Sequence, residues 1–423
     1  MGSRVIVVRG GRKLGGEVRV EGAKNSALKL MAAALLAPGV SRITNVPDIS
    51  DIAVMAEVLG GLGARVERTD HSLTVDAAEL TSYEAPYEMV ARMRASIAVL
   101  GPLVARMGQA HVAMPGGCNI GSRKIDMHIR GLEDLGVEVT FGHGFIHARA
   151  PKDGLRGAHV FLDFPSVGAT ENLLMAAVLA NGTTVIENAA REPEIGDLVA
   201  FLSEMGASIE GAGTQMLVVN GVEELHPVEH AVVGDRIEAG TFLVAGALTG
   251  GPLTVSGFDP DHLALVLSKL RAAGCALEVT DSAVTIERPG RTCAVDVQTL
   301  PYPGFPTDLQ AQFMVLMAVS EGDCVITENV FENRFMFADE LVRMGADIRI
   351  EAHHARVRSV AHLSGAPVKC PDLRGGAALV LAGLVAEGTT RVEDVYHIER
   401  GYERFVEKLV SMGADVHLED DAL

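Results

Sequence analysis

The sequence predicts an α/β protein of two domains, each built from three repeated units that pack apolar helices inside sheets. Three observations carry this expectation. A small-residue step between an amphipathic helix and a strand recurs six times, at Gly63, Gly136, Gly206, Gly274, Gly345 and Gly413, with spacings of 73, 70, 68, 71 and 68 residues. A second glycine ends an apolar segment just before a strand, at Gly39, Gly108, Gly182, Gly251, Gly322 and Gly388, with spacings of 69, 74, 69, 71 and 66. Two independent anchors at one period of about 70 residues define six units covering nearly the whole of the 423-residue chain. The third observation is that the first helix of each unit carries few or no charges on any face, so it has no side to turn to water.

Taken in order, strands are expected near Val5 to Val8 and Glu17 to Val20, ahead of the first unit. Both are expected to complete the last unit, which would put the two ends of the chain in one domain. The apolar helices are expected over 28–36, 95–105, 173–180, 241–248, 311–319 and 377–386. Each is followed by a glycine C-cap, a strand, an amphipathic helix such as 51–60 or 404–412, a second glycine C-cap, a strand and a short further β segment. Six buried helices in one core would make a very wide object, so the chain should break near Val233-Gly234-Asp235. The expected domains are 24–233, and 1–23 together with 234–423.

Lys plus Arg number 36 against 55 Asp plus Glu, a net charge of −19. A chain this acidic is a poor partner for nucleic acid, whose affinity rests on a basic face. Any anionic substrate must be held by local cations. The five cysteines (Cys118, Cys275, Cys293, Cys324 and Cys370) are widely spread without a CxxC pair, which indicates neither a disulfide framework nor a zinc site. His353-His354 reads as a solvated turn rather than a metal site, and no metal is expected. No basic-then-apolar leader opens the sequence, and no apolar run approaches the roughly 18 residues of a membrane span. A cytoplasmic protein without membrane contact is therefore expected. The oligomeric state is left open, a monomer being compatible with everything read here.

The polar residues without an evident structural duty gather where the six apolar helices begin: Lys24-Asn25-Ser26, Arg92-Met93-Arg94, Ser166 to Thr170, Asp235 to Glu238, Pro306-Thr307-Asp308 and Asp372-Leu373-Arg374. Taken singly, each is equally a cap or an ion pair. If the three helices of each domain run parallel, two rings of N-termini facing a cleft would bind phosphate and carboxylate through free N–H groups, aided by Lys24, Arg94, Arg123, Arg374 and Arg400. Asp308 at such a place could accept a proton from a substrate hydroxyl. Pro115, Gly116, Gly117 and Gly121 mark a loop with Cys118 at its tip, and Arg123 and Lys124 follow, cations that favour a thiolate.

Motifs along the chain resemble those of the bacterial UDP-N-acetylglucosamine 1-carboxyvinyltransferases. They include Gly22-Ala23-Lys24-Asn25, Met93-Arg94-Ala95-Ser96, Pro115-Gly116-Gly117-Cys118, Ser166-Val167-Gly168-Ala169-Thr170, Phe305-Pro306-Thr307-Asp308, Phe331-Glu332-Asn333-Arg334-Phe335 and His397-Ile398-Glu399-Arg400-Gly401-Tyr402. The resemblance implies two inside-out α/β barrel domains, the enolpyruvyl transferase fold. It implies transfer of the enolpyruvyl group of phosphoenolpyruvate to the 3-hydroxyl of UDP-N-acetylglucosamine, with no cofactor. Cys118, Asp308, Lys24 and Arg400 would be catalytic: Cys118 the general acid at the methylene carbon, Asp308 the acceptor of the sugar's proton. Lys24, Asn25, Arg94, Arg123, Arg374 and Arg400 would hold phosphoenolpyruvate. Asn25, Arg94, Arg123, Lys124, Asp126, Ser166, Val167, Gly168, Asp308 and Val330 would hold the sugar nucleotide. Lys124 departs from the family's pattern, standing where many members carry proline. Cys118 implies alkylation by the epoxide fosfomycin.

Three rivals remain beside this reading. A sister enzyme on the same fold transfers the same group to shikimate 3-phosphate but does not depend on a loop cysteine. An RNA-terminal phosphate cyclase shares related repeats, and the −19 charge opposes it. A non-catalytic scaffold would have no reason to keep Cys118, Lys24, Asp308 and Arg400 together.

Overall fold

Six helices form over the uncharged segments: α1 (Lys24–Ala33), α2 (Leu100–Met107), α3 (Val167–Ala177), α4 (Arg236–Thr249), α5 (Gln310–Val319) and α6 (Leu373–Val385). The computed structural model describes residues 4–85, 87–90, 93–114 and 125–420. Every residue of α4 is buried, as is α6 from Leu373 to Leu384, which is what a helix without a polar face requires. Four begin four to six residues ahead of the segments expected, at Lys24, Val167, Arg236 and Leu373, and the other two are preceded by 3-10 turns. A 3-10 segment, Arg94–Val99, occupies the start of the helix expected over 95–105, and another, Thr307–Leu309, leads into α5.

Three of the polar residues at these starts are caps. Ser166 accepts from the Ala169 N–H at 3.3 Å, Asp235 from Ile237 and Glu238 at 2.8 and 2.9 Å, and Asp372 from Arg374 and Gly375 at 2.9 and 3.0 Å. Each satisfies N–H groups that the first turn leaves without intrahelical partners.

Among the described residues the strands form six four-stranded sheets with one shared order. In the first unit, Val40–Thr44 pairs antiparallel with Ser72–Asp76, which pairs antiparallel with Arg65–Thr69. Glu229–Ala231 adds a parallel edge, with His230 opposite Ile43. Alternation sends Ile43, Leu73 and Val75 inward, all 1% exposed or less. A two-stranded pairing of Leu363–Ser364 with Ala386–Glu387 is separate.

All six helix-to-strand glycines take positive φ, from 91° at Gly136 to 105° at Gly206, a conformation open to glycine at no steric cost. The second anchor holds in five units and shifts in the fourth, where Gly250 rather than Gly251 is the left-handed cap of α4 (φ 80°). Gly251 is needed for a different reason: a Cβ there would lie 1.9 Å from the Leu14 carbonyl oxygen.

The chain divides into two compact units, one from the described residues of Met1–Glu21 and Gly234–Leu423, the other from those of Gly22–Cys118 and Arg123–Val233. Each has its own apolar core. The two early strands part company, contrary to the expectation that both complete the last unit. Arg4–Arg9 lies between Thr389–Glu393 and Asp415–Asp420, as the inner strand of the sixth sheet. Gly16–Arg19 instead runs parallel to Leu253–Ser256 in the fourth. The reason is local. α4 begins directly after the chain passes from one unit to the other, so the fourth sheet has no preceding strand of its own to serve as its parallel edge. No helix among the described residues is long and apolar enough to cross a membrane.

Candidate active site

Lys24 opens α1 and is only 8% exposed. Its Nζ lies 2.8 Å from Asp51 Oδ2, in the first turn of the helix Ser50–Gly61. Asp51 had no role assigned to it from the sequence alone. Asn25 beside it is exposed. One turn along α1, Lys29 Nζ sits 2.5 Å from Glu171 Oε2 on α3, and burial pushes that carboxyl up while Lys29 pulls it back.

Around the Ser166-Val167-Gly168 turn the same unit builds a neutral histidine. His128 lies on the helix Asp126–Asp134, whose first residue is Asp126. Burial, with Arg94 and Lys29 adding their charge, pushes its ring down to about 4, so it is uncharged at neutral pH. Its Nδ1 is 3.0 Å from Asn172 Nδ2, an amide donor, which leaves the ring proton on Nε2. A Cβ on Gly168 would meet His128 Nε2 at 3.2 Å, so the ring lies against that turn. Asn172 also donates to Ile97 O and accepts from Gly101 N, tying α3 to the segment that begins at Arg94. Lys24, Asn25, Arg94, Asp126, Ser166, Val167 and Gly168 thus all belong to the unit of Gly22–Cys118 and Arg123–Val233. Cys118, Arg123 and Lys124 lie outside the described residues.

In the other unit, Asp308 is held by two buried arginines. Arg334 Nη2 donates to Oδ1 at 3.0 Å and Arg374 Nε to Oδ2 at 3.1 Å, with Asp308 itself 23% exposed. The remaining Nη1 of each arginine is buried without a partner among the described residues. Arg374 stacks over Tyr402 at 5.1 Å, and the Tyr402 hydroxyl meets Thr241 Oγ1 at 2.9 Å and Gln312 Nε2 at 3.2 Å. Burial works against the Arg374 charge, but Tyr402, Asp308 and Asp235 outweigh it and hold the guanidinium above its ordinary value. Arg400 follows the short helix Tyr396–Glu399 and, after burial, is the next cause of the lowered His397 value. Val330 lies in the segment leading to Arg334.

The structure therefore brings Asp308 and Arg374 into contact, and supplies Arg334, which sequence reasoning quoted in a motif without assigning it a part. The signal was an arginine between two phenylalanines, Phe331 and Phe335. Among the described cysteines, Cys275 and Cys324 are pushed up to about 11 and about 12 by burial, and Cys370 also upward. None of these three is a nucleophile near neutral pH.

The family model described as EPSP synthase (3-phosphoshikimate 1-carboxyvinyltransferase) matches residues 8–409. Proteins named UDP-N-acetylglucosamine 1-carboxyvinyltransferase from Mycobacterium bovis and Corynebacterium jeikeium are 55% and 56% identical to this chain over 411 residues, 97% of it and 98% of each of them. Among solved structures, the enolpyruvyl transferase NikO from Streptomyces tendae matches over 100% of both chains with a TM-score of 0.89 and 29% identity. An EPSP synthase from Acinetobacter baumannii matches over 99% of this chain and 100% of its own with a TM-score of 0.76, and its 16% identity makes that a likeness of fold alone.

Proposed function

The chain belongs to the UDP-N-acetylglucosamine 1-carboxyvinyltransferase family of enolpyruvyl transferases, and from that membership we propose the reaction it catalyses. It transfers the enolpyruvyl group of phosphoenolpyruvate to the 3-hydroxyl of UDP-N-acetylglucosamine and releases phosphate, the first committed step of peptidoglycan synthesis, in the cytoplasm. The observation that carries this reading is identity above one half along 97% of the chain. The EPSP synthase from Acinetobacter baumannii, alike in fold alone, stands at 16%.

The chemistry assigns each group a task. Cys118 delivers a proton to the methylene carbon, and positive charge develops at the neighbouring carbon, where a carboxylate stabilises it. The sugar's 3-oxygen bonds to that carbon as its proton passes to Asp308. Product keeps the double bond, so elimination must follow addition: a proton leaves the methyl carbon and the C–O bond to phosphate breaks. Lys24, Asn25, Arg94, Arg123, Arg374 and Arg400 hold the phosphate and carboxylate; Lys124, Asp126, Ser166, Val167, Gly168 and Val330 hold the sugar nucleotide. The two arginines on Asp308 hold its carboxylate oriented as the acceptor. A weak base suffices, because the hydroxyl becomes strongly acidic as its oxygen bonds to the electron-poor carbon.

The test is phosphate release from phosphoenolpyruvate, with UDP-N-acetylglucosamine or shikimate 3-phosphate as acceptor, for the unmodified chain and Cys118→Ala. Release with the sugar nucleotide only, lost by at least about a hundredfold in the variant, is expected. Release with the shikimate ester only would overturn the assignment of substrate.

A further inference from the structure

Asp308 and Val330 are both assigned to the sugar nucleotide, yet they lie on separate stretches of chain. One carboxylate joins them. Glu328, 2% exposed, directly follows the strand Asp323–Thr327. Its Oε1 accepts from Val330 N at 2.8 Å, Phe331 N at 3.1 Å and Thr299 Oγ1 at 2.8 Å. Its Oε2 accepts from Thr307 Oγ1 at 2.9 Å. Thr307 is the residue before Asp308, in the 3-10 turn that directs Asp308. Thr299 in turn accepts from Asn329 N at 2.9 Å, and Asn329 Nδ2 donates to Thr299 O at 3.1 Å.

Segment 328–334 thus grips Asp308 twice. Glu328 holds its backbone turn through Thr307, and Arg334 holds its side chain through Oδ1. Val330 lies between those two grips, its own N–H on the same carboxylate. A short segment that fixes the acceptor's turn, the acceptor's rotamer and the neighbouring main chain keeps them in one register. A buried carboxylate with four donors is costly to disturb, because each donor that loses it is stranded away from water.

We propose that Glu328, acting through Thr307, is a positioning residue for this reaction: it sets the Asp308 turn and the Val330 main chain at a fixed distance, so that the sugar bound at one presents its hydroxyl to the other. The proposal rests on the functional reading above. It adds a role for a side chain that touches neither substrate.

Thr307→Val separates this role from packing, because it removes the hydroxyl at nearly constant volume. The expected result is a kcat lowered by about ten- to a hundredfold, the scale of a misplaced reacting group, with the KM for phosphoenolpyruvate little changed. Thr307→Ser keeps the hydroxyl and recovers most of the loss. Glu328→Ala frees the Val330 end as well, so kcat falls and the KM for UDP-N-acetylglucosamine rises together. If Glu328→Ala fails to fold, the Thr307 pair still decides. Wild-type kcat in Thr307→Val overturns the proposal, as does equal impairment of the Val and Ser variants, which would show that any change at this position disrupts the site and that the hydroxyl is not the specific cause. No turnover of the two substrates by the unmodified chain would instead overturn the functional reading itself.

Discussion

Burial decides which thiols of this chain can react, and it does so one residue at a time. Cys275 is 6%, Cys324 4% and Cys370 2% exposed, and burial is the first cause that raises each. Cys293 is exposed. In the double variant Cys118→Ala, Cys293→Ala, the folded protein should consume no Ellman's reagent at pH 8, and the denatured protein should consume three equivalents, one for each remaining cysteine. Rapid labelling of the folded double variant would show that one of the three is accessible. At this scale the sequence was only partly legible. Asp308 and Arg374 were singled out at helix starts, and they are in contact. Glu328, Asp51 and Tyr402 could not be found that way, because their importance lies in partners far along the chain, and no periodicity announces a hydrogen bond between Thr307 and Glu328.

A helix buried on all sides can keep a carboxyl only by altering its proton affinity, and α4 does this at Glu238. Burial pushes the group up to about 7 from an ordinary 4.5, against the pull of Lys408, whose Nζ is 2.8 Å away. The folded state therefore holds this proton more tightly than the unfolded chain does. Its contribution is fully present below pH 4.5 and declines as pH rises through the window to about 7. The loss is on the order of 3 kcal/mol at most. Hydrogen exchange of the α4 amides, corrected for intrinsic rates, should show protection falling between pH 5 and 7.5. Glu238→Gln keeps an acceptor for Lys408 and should flatten that dependence; an unchanged slope in the variant would remove Glu238 as its source. Elements were the most legible level, since six uncharged segments can only be buried helices. Their starts were less so. Segments 94–99 and 307–309 wind as 3-10 turns, a distinction that apolar spacing does not encode.

The sixfold period set the architecture, because glycine is required wherever a helix must turn back through positive φ into a strand. What the period left open was closure, since a repeat has no register at its ends. In the unit of 22–233 the ends meet within the stretch itself: Glu229–Ala231 supplies the parallel edge beside Val40–Thr44, and Asn45 Nδ2 donates to Val232 O at 2.8 Å. His230 reinforces this edge, its two ring nitrogens each 2.9 Å from a carboxylate, Asp197 and Glu204. The other unit cannot close from 234–423 alone. It needs Arg4–Arg9 as an inner strand, with Val5, Ile6, Val7 and Val8 all 3% exposed or less, and Gly16–Arg19 as an edge. We therefore predict an asymmetry between excised pieces. Residues 22–233 should fold alone and unfold in urea in a single cooperative transition followed by circular dichroism. Residues 234–423 should give no such transition, because two sheets each lose a strand and a core stripe stays uncovered. Adding a peptide of residues 1–21 should restore it. Cooperative unfolding of 234–423 without that peptide would mean that the early strands decorate a core complete without them.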